Sequence, residues 1–234
     1  MKDETIAQVQ AETQDWTYPQ ELPATCHGFV LDREVHITGD MYDLFTYTCE
    51  ERHQQVVAYF HEETHEYKLR VSYGLITFCR IEYITPKLAV FEAQLRKELD
   101  QTLADMATFN PATLSSIVRD KQIMEWEVAT QLPAELEGFE LYIRPTEPVK
   151  ITNGSYIIID YVDFALASSF TAYYNIFRDE FFAEARIWRI PDVTYDFDAH
   201  TLQELEKNLH EKLVPRLQEI RARAVAEKDE VHYT

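Results

Sequence analysis

The chain is poor in glycine and in positive charge. Its 234 residues include only 5 glycines, and no two of them have the spacing of a Walker loop or of a G-x-G-x-x-G turn. The common glycine-built nucleotide sites are therefore excluded. Lys and Arg number 22 against 41 Asp and Glu, which gives a net charge of −19. Because affinity for nucleic acid comes chiefly from neutralising phosphates with basic side chains, we expect no direct contact with nucleic acid.

Cysteine and long apolar runs are also scarce. The three cysteines, Cys26, Cys49 and Cys79, form no C-x-x-C pair, which suits a reducing compartment and gives no disulfide framework. No apolar stretch reaches the length of a membrane span, and the first residues lack the apolar core of a signal peptide. We therefore expect a cytoplasmic protein with no membrane contact and no cofactor.

The chain does contain enough apolar material for a core, at 46% apolar and 13% aromatic residues. It also contains an internal repeat. The segment LPATCHGFVL, which starts at Leu22, matches LPAELEGFEL, which starts at Leu132. The offset of 132 − 22 = 110 also pairs Trp16 with Trp126. A repeat of this length predicts a fold built from two similar units.

Four extra residues then enter the second copy, and from Val35 onward the offset is 149 − 35 = 114, without a gap to Leu103. Residues 1–110 carry 9 basic and 19 acidic side chains, and residues 111–234 carry 13 and 22. The net charges are therefore 9 − 19 = −10 and 13 − 22 = −9. We predict two acidic repeats with these boundaries.

Each copy has the pattern of a small α+β unit. In the second copy, Asn153-Gly154 lies between two apolar runs, which predicts a tight hairpin whose central residues take positive φ. Three further apolar segments follow it, and the middle one alternates in the manner of a half-buried strand. We expect a tandem duplication of an antiparallel β-meander with a C-terminal helix, and the two copies packed about a pseudo-twofold axis.

The helix of the second copy has apolar residues at spacings of three and four, and Thr201 with Glu204 has the spacing of a capping box. Pro215 predicts a kink or an interruption of that helix. In the first copy, Thr85 is the expected cap, with Pro86 at the first helical position.

One local motif has the pattern of a zinc protease. His61, Glu62 and His65 lie in the segment HEETH, which satisfies H-E-x-x-H. That chemistry needs a helix, since only there do two imidazoles four residues apart point the same way. The repeat instead places the segment between two strands, which predicts an exposed acidic hairpin turn. A metal-dependent hydrolase remains an alternative hypothesis.

Cys26 and His27 form a second candidate for a Cys-His pair or a metal site, and neither recurs in the second copy.

Several side chains recur at matched positions of the two copies. The acids are Glu66 with Glu180 and Glu92 with Glu206, and a matched aromatic pair is Tyr59 with Tyr173. Paired carboxylates can do acid/base work or hold a divalent cation. The alternative is a strand-edge charge for the first pair and a helix-surface charge for the second. The tyrosines suit sheet packing, and a groove lined by these rings is the other hypothesis.

About 45 residues of each copy resemble the HicB-like antitoxin domain. The first copy keeps the order of features in residues 58–73 and 88–99 but lacks a Pro-Asp pair, and the second copy shows them from Phe170 to Leu213. It has an aromatic strand with Tyr173, an acidic turn at Asp179-Glu180, a Pro191-Asp192 segment, and a helix opening with T-L-x-E at Thr201. The resemblance implies a small α+β fold that neutralises a small basic RNA-cleaving toxin. An acidic chain suits such a partner, since opposite surface potentials raise encounter rates.

These observations predict a non-enzymatic acidic protein that binds a basic protein partner. A homodimer is a further expected assembly. The alternatives are the metal-dependent hydrolase and a small-ligand module with its pocket between the repeats.

Overall fold

The computed structural model describes residues 1–228. The chain forms two compact units, of which the first is Met1–Phe109 and the second begins at Asn110. Each unit contains one antiparallel sheet of seven strands and helices. The predicted α+β class with two similar sheet units is therefore confirmed.

The first unit begins with helix α1, Asp3–Thr13, and the short helix α2, Tyr18–Glu21. Its seven strands are β1 Thr25–Cys26, β2 Phe29–Asp32, β3 His36–Thr38, β4 Met41–Cys49, β5 Gln54–His61, β6 Glu66–Tyr73 and β7 Ile76–Thr85. Helix α3, Leu88–Ala107, ends the unit. The strand order is β1-β2-β4-β5-β6-β7, with β3 paired to β4, and every pairing is antiparallel.

The second unit repeats this order. It begins with two short helices, α4 Ser116–Asp120 and α5 Val128–Gln131. Its strands are β8 Glu135–Leu136, β9 Phe139–Ile143, β10 Val149–Lys150, β11 Ser155–Asp163, β12 Ser168–Asn175, β13 Glu180–Ile187 and β14 Ile190–Ala199. Helix α6, Leu202–Ala226, follows. The sheet order is β14-β13-β12-β11-β9-β8, with β10 paired to β11, which is the topology of the first unit.

The long helix of each unit covers one face of its own sheet. In α3 the buried side chains follow one stripe through Phe91, Leu95, Leu99 and Leu103, and the buried residues of α6 lie at matching positions. Alternate residues of β5 join the core cluster under α3, among them Val56, Ala58 and Phe60. The residues between them point to the opposite face of the sheet.

The hairpin at Asn153-Gly154 forms as predicted. Strand β10 pairs with β11, and both residues of the turn have positive φ, 58° and 71°. Glycine adopts this conformation without cost, and asparagine is one of the few other residues that tolerate it.

One prediction about the helices is wrong and another is wrong in part. Thr85 is not the cap of α3, because it is the last residue of β7, and the helix begins two residues after Pro86 with Lys87 at its N-cap. Of the kink or interruption predicted at Pro215, the interruption does not occur, because α6 continues through Pro215 to Ala226. Pro215 is exposed and so is Glu211 one turn earlier, so the backbone carbonyl freed by the missing N–H can bond to water. The capping box of Thr201 and Glu204 is confirmed.

Within residues 1–228, no helix is both long enough and apolar enough to cross a bilayer.

Candidate functional site

The HEETH segment lies in a hairpin. His61 is the last residue of β5 and Glu66 is the first of β6, so the residues between them form the connecting turn. His65 occupies the left-handed region at φ 53°, and its ring packs edge-on to Phe60. The two imidazoles therefore do not share the helical face that the protease mechanism needs.

Glu62 has a structural role in this turn. Its Oε1 accepts hydrogen bonds from the backbone N–H of Lys2 and from Oγ1 of Thr5, both at 2.7 Å. These two residues flank the start of α1, where unpaired N–H groups favour a carboxylate. The hydrogen bond from the backbone N–H of Lys2 is the main reason that the pKa of Glu62 lies below its usual range. Glu62 thus anchors α1 to the hairpin.

His61 has its own set of partners. Its Nε2 lies 2.9 Å from a carboxylate oxygen of Asp40, and ligand atoms of Asp40, His61 and Glu63 lie within 4.8 Å of one another. The ammonium group of Lys68 lies 3.3 Å from Nδ1 of His61. The positive charge of Lys68 therefore lies beside the cluster of Asp40, His61 and Glu63, and it disfavours the binding of a metal ion there.

The first pair of repeated acids begins two equivalent strands. Glu66 and Glu180 are the first residues of β6 and β13. Each forms an ion pair near its own strand, with Lys68 at 3.3 Å and with Arg178 at 2.9 Å. Such partly exposed pairs contribute little to stability, and the structure does not bring the two acids of one unit to a common site.

The second pair of repeated acids holds the repeated tryptophans. The indole Nε1 of Trp16 donates to Glu92 at 2.7 Å, and that of Trp126 donates to Glu206 at 3.3 Å. Each bond joins the N-terminal segment of a unit to its long helix. Glu92 and Glu206 therefore act as acceptors that position the N-terminal segment.

The repeated tyrosines lie on the sheet face opposite the long helix. The hydroxyl of Tyr59 contacts Sγ of Cys79 at 3.1 Å, and Arg70 lies 5.2 Å from its ring centroid. Tyr173 stacks on Phe182 at 4.9 Å and accepts hydrogen bonds from Arg186. Burial raises the pKa of Tyr173 to about 12, so its hydroxyl stays neutral.

Asp160 is the most perturbed carboxyl group among the described residues. It lies fully buried on β11, where Oγ1 of Thr171 donates to its Oδ1 at 2.7 Å and its Oδ2 has no hydrogen-bond partner. Burial raises its pKa to about 7, against the opposing effects of Thr171 and Arg186. A perturbed carboxyl is a functional candidate when it faces a cleft, but Asp160 lines neither of the two grooves described below.

Cys26 and His27 meet a third residue from the long helix. Oδ1 of Asp100 lies 3.4 Å from Sγ of Cys26 and 3.1 Å from Nε2 of His27. Burial and the neighbouring carboxylate of Asp100 raise the pKa of the Cys26 thiol. A catalytic thiol needs the opposite shift, so this arrangement does not activate Cys26 as a nucleophile.

Two grooves lie at equivalent places in the two units. Each groove runs between an arm, formed by the short helix and the first strand, and the long helix of the same unit. Arm 1 is residues 18–26 and arm 2 is residues 128–136. Groove 1 is lined mainly by Leu22, Pro23, Cys26, Leu95, Leu99 and Asp100. The apolar lining of groove 2 is Leu132, Pro133, Leu136, Leu209, Leu213 and Val214, and α6 adds the charged residues Glu206, Lys207 and Glu211.

The two grooves differ in size because a side-chain plug fills only the first. Groove 1 has a volume of about 200 Å³, against about 600 Å³ for groove 2. In groove 1 the guanidinium group of Arg96 lies 4.6 Å from the ring centroid of Tyr18 and pairs with Glu21 and Glu92 at 2.8 Å.

In groove 2 the positions that match this plug hold smaller or uncharged groups. Val128 replaces Tyr18, Gln131 replaces Glu21 and His210 replaces Arg96. The plug is therefore absent from the second unit, and its groove is open to a ligand.

The chain segments that contain the two arms carry only acidic charges. Residues 122–143, which include arm 2, carry five Glu and no Lys or Arg. All five are exposed, namely Glu125, Glu127, Glu135, Glu137 and Glu140. Residues 3–32, which include arm 1, likewise carry six acids and no Lys or Arg. An apolar groove beside this charge favours a ligand that is both apolar and cationic.

Both arms are held to their sheets by the same hydrogen bond. The hydroxyl of Tyr47 donates to the carbonyl of Pro23 at 2.7 Å, and that of Tyr161 donates to the carbonyl of Pro133 at 2.9 Å. Together with the tryptophan bonds, these contacts fix the groove walls before any ligand binds, which lowers the entropic cost of association.

Comparison of the chain with protein-family models, with curated proteins and with solved structures gives no match.

The repeat matches Trp16 with Trp126 and Glu92 with Glu206, but neither the Trp–Glu contacts nor the grooves were predicted from the sequence. The recurrence of both residue types in both copies is the signal that could have indicated the contact. The groove depends on positions where the copies differ. The replacement of Arg96 by His210 is visible in the aligned repeats, but its effect needs the position of Tyr18 in space.

Proposed function

We propose that this chain is a non-enzymatic binding protein that uses groove 2 to hold a basic segment of a protein partner. The observation that carries the proposal is the apolar floor of groove 2 beside residues 122–143, whose only charged side chains are five exposed glutamates. Leucine side chains of the partner enter the groove, and its Lys or Arg side chains face the glutamates of residues 122–143.

The size of groove 2 suits this kind of ligand. A volume of about 600 Å³ falls within the range of sites that bury a small ligand or a few side chains. The exposed charges contribute mainly to the rate and the specificity of encounter, whereas the buried apolar contacts contribute most of the affinity.

The resemblance to the HicB-like antitoxin domain supports the same partner chemistry, because those proteins neutralise a small basic toxin. Masking of such a toxin by this chain is the specific form of the proposal. The net charge of −19 is compatible with it, since long-range attraction speeds the association of oppositely charged proteins.

The hydrolase alternative has less support. The HEETH residues lie in a hairpin and Glu62 is bonded at the start of α1, so the group expected to activate water has another role. The binding hypothesis is therefore preferred to it.

The test uses two synthetic helical peptides with the same leucine spacing. One carries lysine at every polar position and the other carries glutamate. Fluorescence anisotropy with the full chain is expected to show binding of the lysine peptide, weaker at high salt, and no binding of the glutamate peptide. Equal binding of both peptides, or none of either, contradicts the proposal.

A further inference from the structure

Three metal-binding side chains converge at the mouth of groove 1. Cys26 and His27 come from the end of β1 and the turn after it, and Asp100 comes from the middle of α3. Each residue offers one ligand atom, and these three atoms lie within 4.8 Å of one another. We propose that Cys26, His27 and Asp100 bind one zinc ion.

The distances between the ligand atoms fit a tetrahedral zinc ion. With the usual bond lengths of about 2.0 Å to nitrogen and oxygen and about 2.3 Å to sulfur, neighbouring N and O ligands lie about 3.3 Å apart, and S and O about 3.5 Å. In this chain Nε2 of His27 lies 3.1 Å from Oδ1 of Asp100, and Sγ of Cys26 lies 3.4 Å from it. Only a small rearrangement is therefore needed to admit the ion.

The chemistry of the three ligands selects the metal. A thiolate and an imidazole together favour zinc over magnesium or calcium, which prefer oxygen ligands alone. The side chain of Asp100 is 83% exposed and that of His27 is 38% exposed. A fourth ligand position is therefore open to water. On binding, the S–H bond of Cys26 breaks, a Zn–S bond forms and the proton leaves to water.

The backbone around the site is held in place. A guanidinium nitrogen of Arg52 donates to the carbonyl oxygen of His27 at 2.9 Å, and the same side chain lies close to Gly28. Gly28 has φ 84°, a conformation that a larger residue rarely adopts. These contacts fix the turn that presents the imidazole to α3.

The second unit provides an internal comparison. At the positions that match Cys26, His27 and Asp100 it has Leu136, Glu137 and Val214. Two of these side chains are apolar, so the second unit keeps the fold without the ligands. The proposal therefore predicts one zinc ion per chain. It is independent of the proposed function, which rests on groove 2.

The test measures zinc binding to the tag-free full chain after metal removal, by competition with a chromophoric indicator. One equivalent is expected, and C26S, H27Q and D100N are each expected to weaken binding at least about tenfold, since even the loss of an outer contact to a metal ligand has an effect of that order. H61Q and C79S are the matched controls, and they should bind as the wild-type chain does. D100N changes an exposed helix position, so its fold is preserved, and thermal unfolding of each metal-free variant checks this.

Substitution by cobalt supplies a second readout. A thiolate ligand gives a sulfur-to-cobalt charge-transfer band, which should appear in the wild-type chain and be absent from C26S. Binding below one equivalent, affinity unchanged in C26S, H27Q and D100N, or a loss confined to H61Q would overturn the proposal.

Discussion

At the scale of single residues, the same side chain has different consequences in the two units because its neighbours differ. Trp16 and Trp126 make the same kind of bond to Glu92 and Glu206, yet the donor-acceptor distance is 2.7 Å in the first unit and 3.3 Å in the second. Arg96 fills groove 1 only because Tyr18 and Glu21 are beside it. The side chains that line each groove therefore depend on which residues the two copies share and which differ.

Asp160 supports a prediction about pH at this scale. Its folded pKa of about 7 lies above its ordinary value of 3.8, so the folded state binds the proton more tightly than the unfolded state does. As the pH rises from about 4 to about 7, the contribution of Asp160 to the free energy of unfolding of the wild type decreases by up to about 1.4 kcal/mol per pH unit. Asp160→Asn does not titrate and keeps an oxygen for Thr171, so its stability relative to the wild type should grow across this window. Urea unfolding at several pH values measures the difference.

Asp179→Asn is the control with the opposite sign. The hydrogen bond from Lys121 is the main reason that the pKa of Asp179 is lowered. The contribution of this carboxylate to the free energy of unfolding is therefore present at neutral pH and lost in acid. The relative stability of Asp179→Asn should therefore fall as the pH rises. If the difference in the free energy of unfolding between Asp160→Asn and the wild type does not change with pH, the pKa of Asp160 is not raised in the folded state, and the prediction is contradicted.

At the scale of elements, the long helices begin in different ways. Oγ1 of Thr201 accepts the N–H of Glu204 at 3.2 Å, and the carboxylate of Glu204 accepts the backbone N–H of Thr201 in return. Lys87, at the same place before α3, makes no side-chain cap. The beginning of α6 therefore has a capping box, whereas at the beginning of α3 the only local side-chain bond among the described residues is from the backbone N–H of Lys87 to Oγ1 of Thr85, at 3.3 Å.

We expect Thr201→Ala to lower the free energy of unfolding by about 1 kcal/mol, because a backbone N–H loses its acceptor. Thr201→Ser keeps the hydroxyl oxygen and should be close to the wild type. Lys87→Ala should have little effect, since no cap is lost. Chemical denaturation measures all three, and equal losses in Thr201→Ala and Thr201→Ser would contradict the role of the cap.

Much of the element order was predictable from the sequence, for reasons that particular residues make plain. Asn153-Gly154 marks a hairpin because few residue pairs accept two positive φ angles, and the leucine spacing of α6 has the period of a helix on a sheet. The start of α3 was not predictable, because the pairing of β7 extends the strand to Thr85. The meeting of Cys26 with Asp100 depends on tertiary packing over 74 residues and has no local signal.

At the scale of the whole molecule, duplication has preserved the framework and changed the grooves. Both units keep the strand order, the tyrosine bond to a proline carbonyl and the tryptophan bond to the long helix. Both also keep an arm region without Lys or Arg. The plug and the three candidate zinc ligands occur in the first unit and are replaced at the matching positions of the second, so the two units offer different chemistry on the same framework.

This comparison provides a variant that closes groove 2. The substitutions Val128→Tyr, Gln131→Glu and His210→Arg transfer the plug of groove 1 to equivalent positions. The fold should tolerate them, because Tyr18, Glu21 and Arg96 already occupy the same framework. With histidine neutral, the transfer adds one negative and one positive charge, so the net charge is unchanged.

A control with the same charge changes lies on α3. Val90→Tyr, Gln94→Glu and Gln101→Arg alter positions that line neither groove. Any general effect of a tyrosine, an acid and an arginine on the binding of a cationic peptide should appear in this control as well.

The most direct measurement is the affinity of the lysine peptide for these two variants and for the wild-type chain, with thermal unfolding recorded alongside. If groove 2 is the binding site, the plugged variant should bind at least about tenfold more weakly, which corresponds to about 1.4 kcal/mol, and the control should match the wild type. Wild-type affinity in a folded, plugged variant would contradict the assignment of groove 2 as the site.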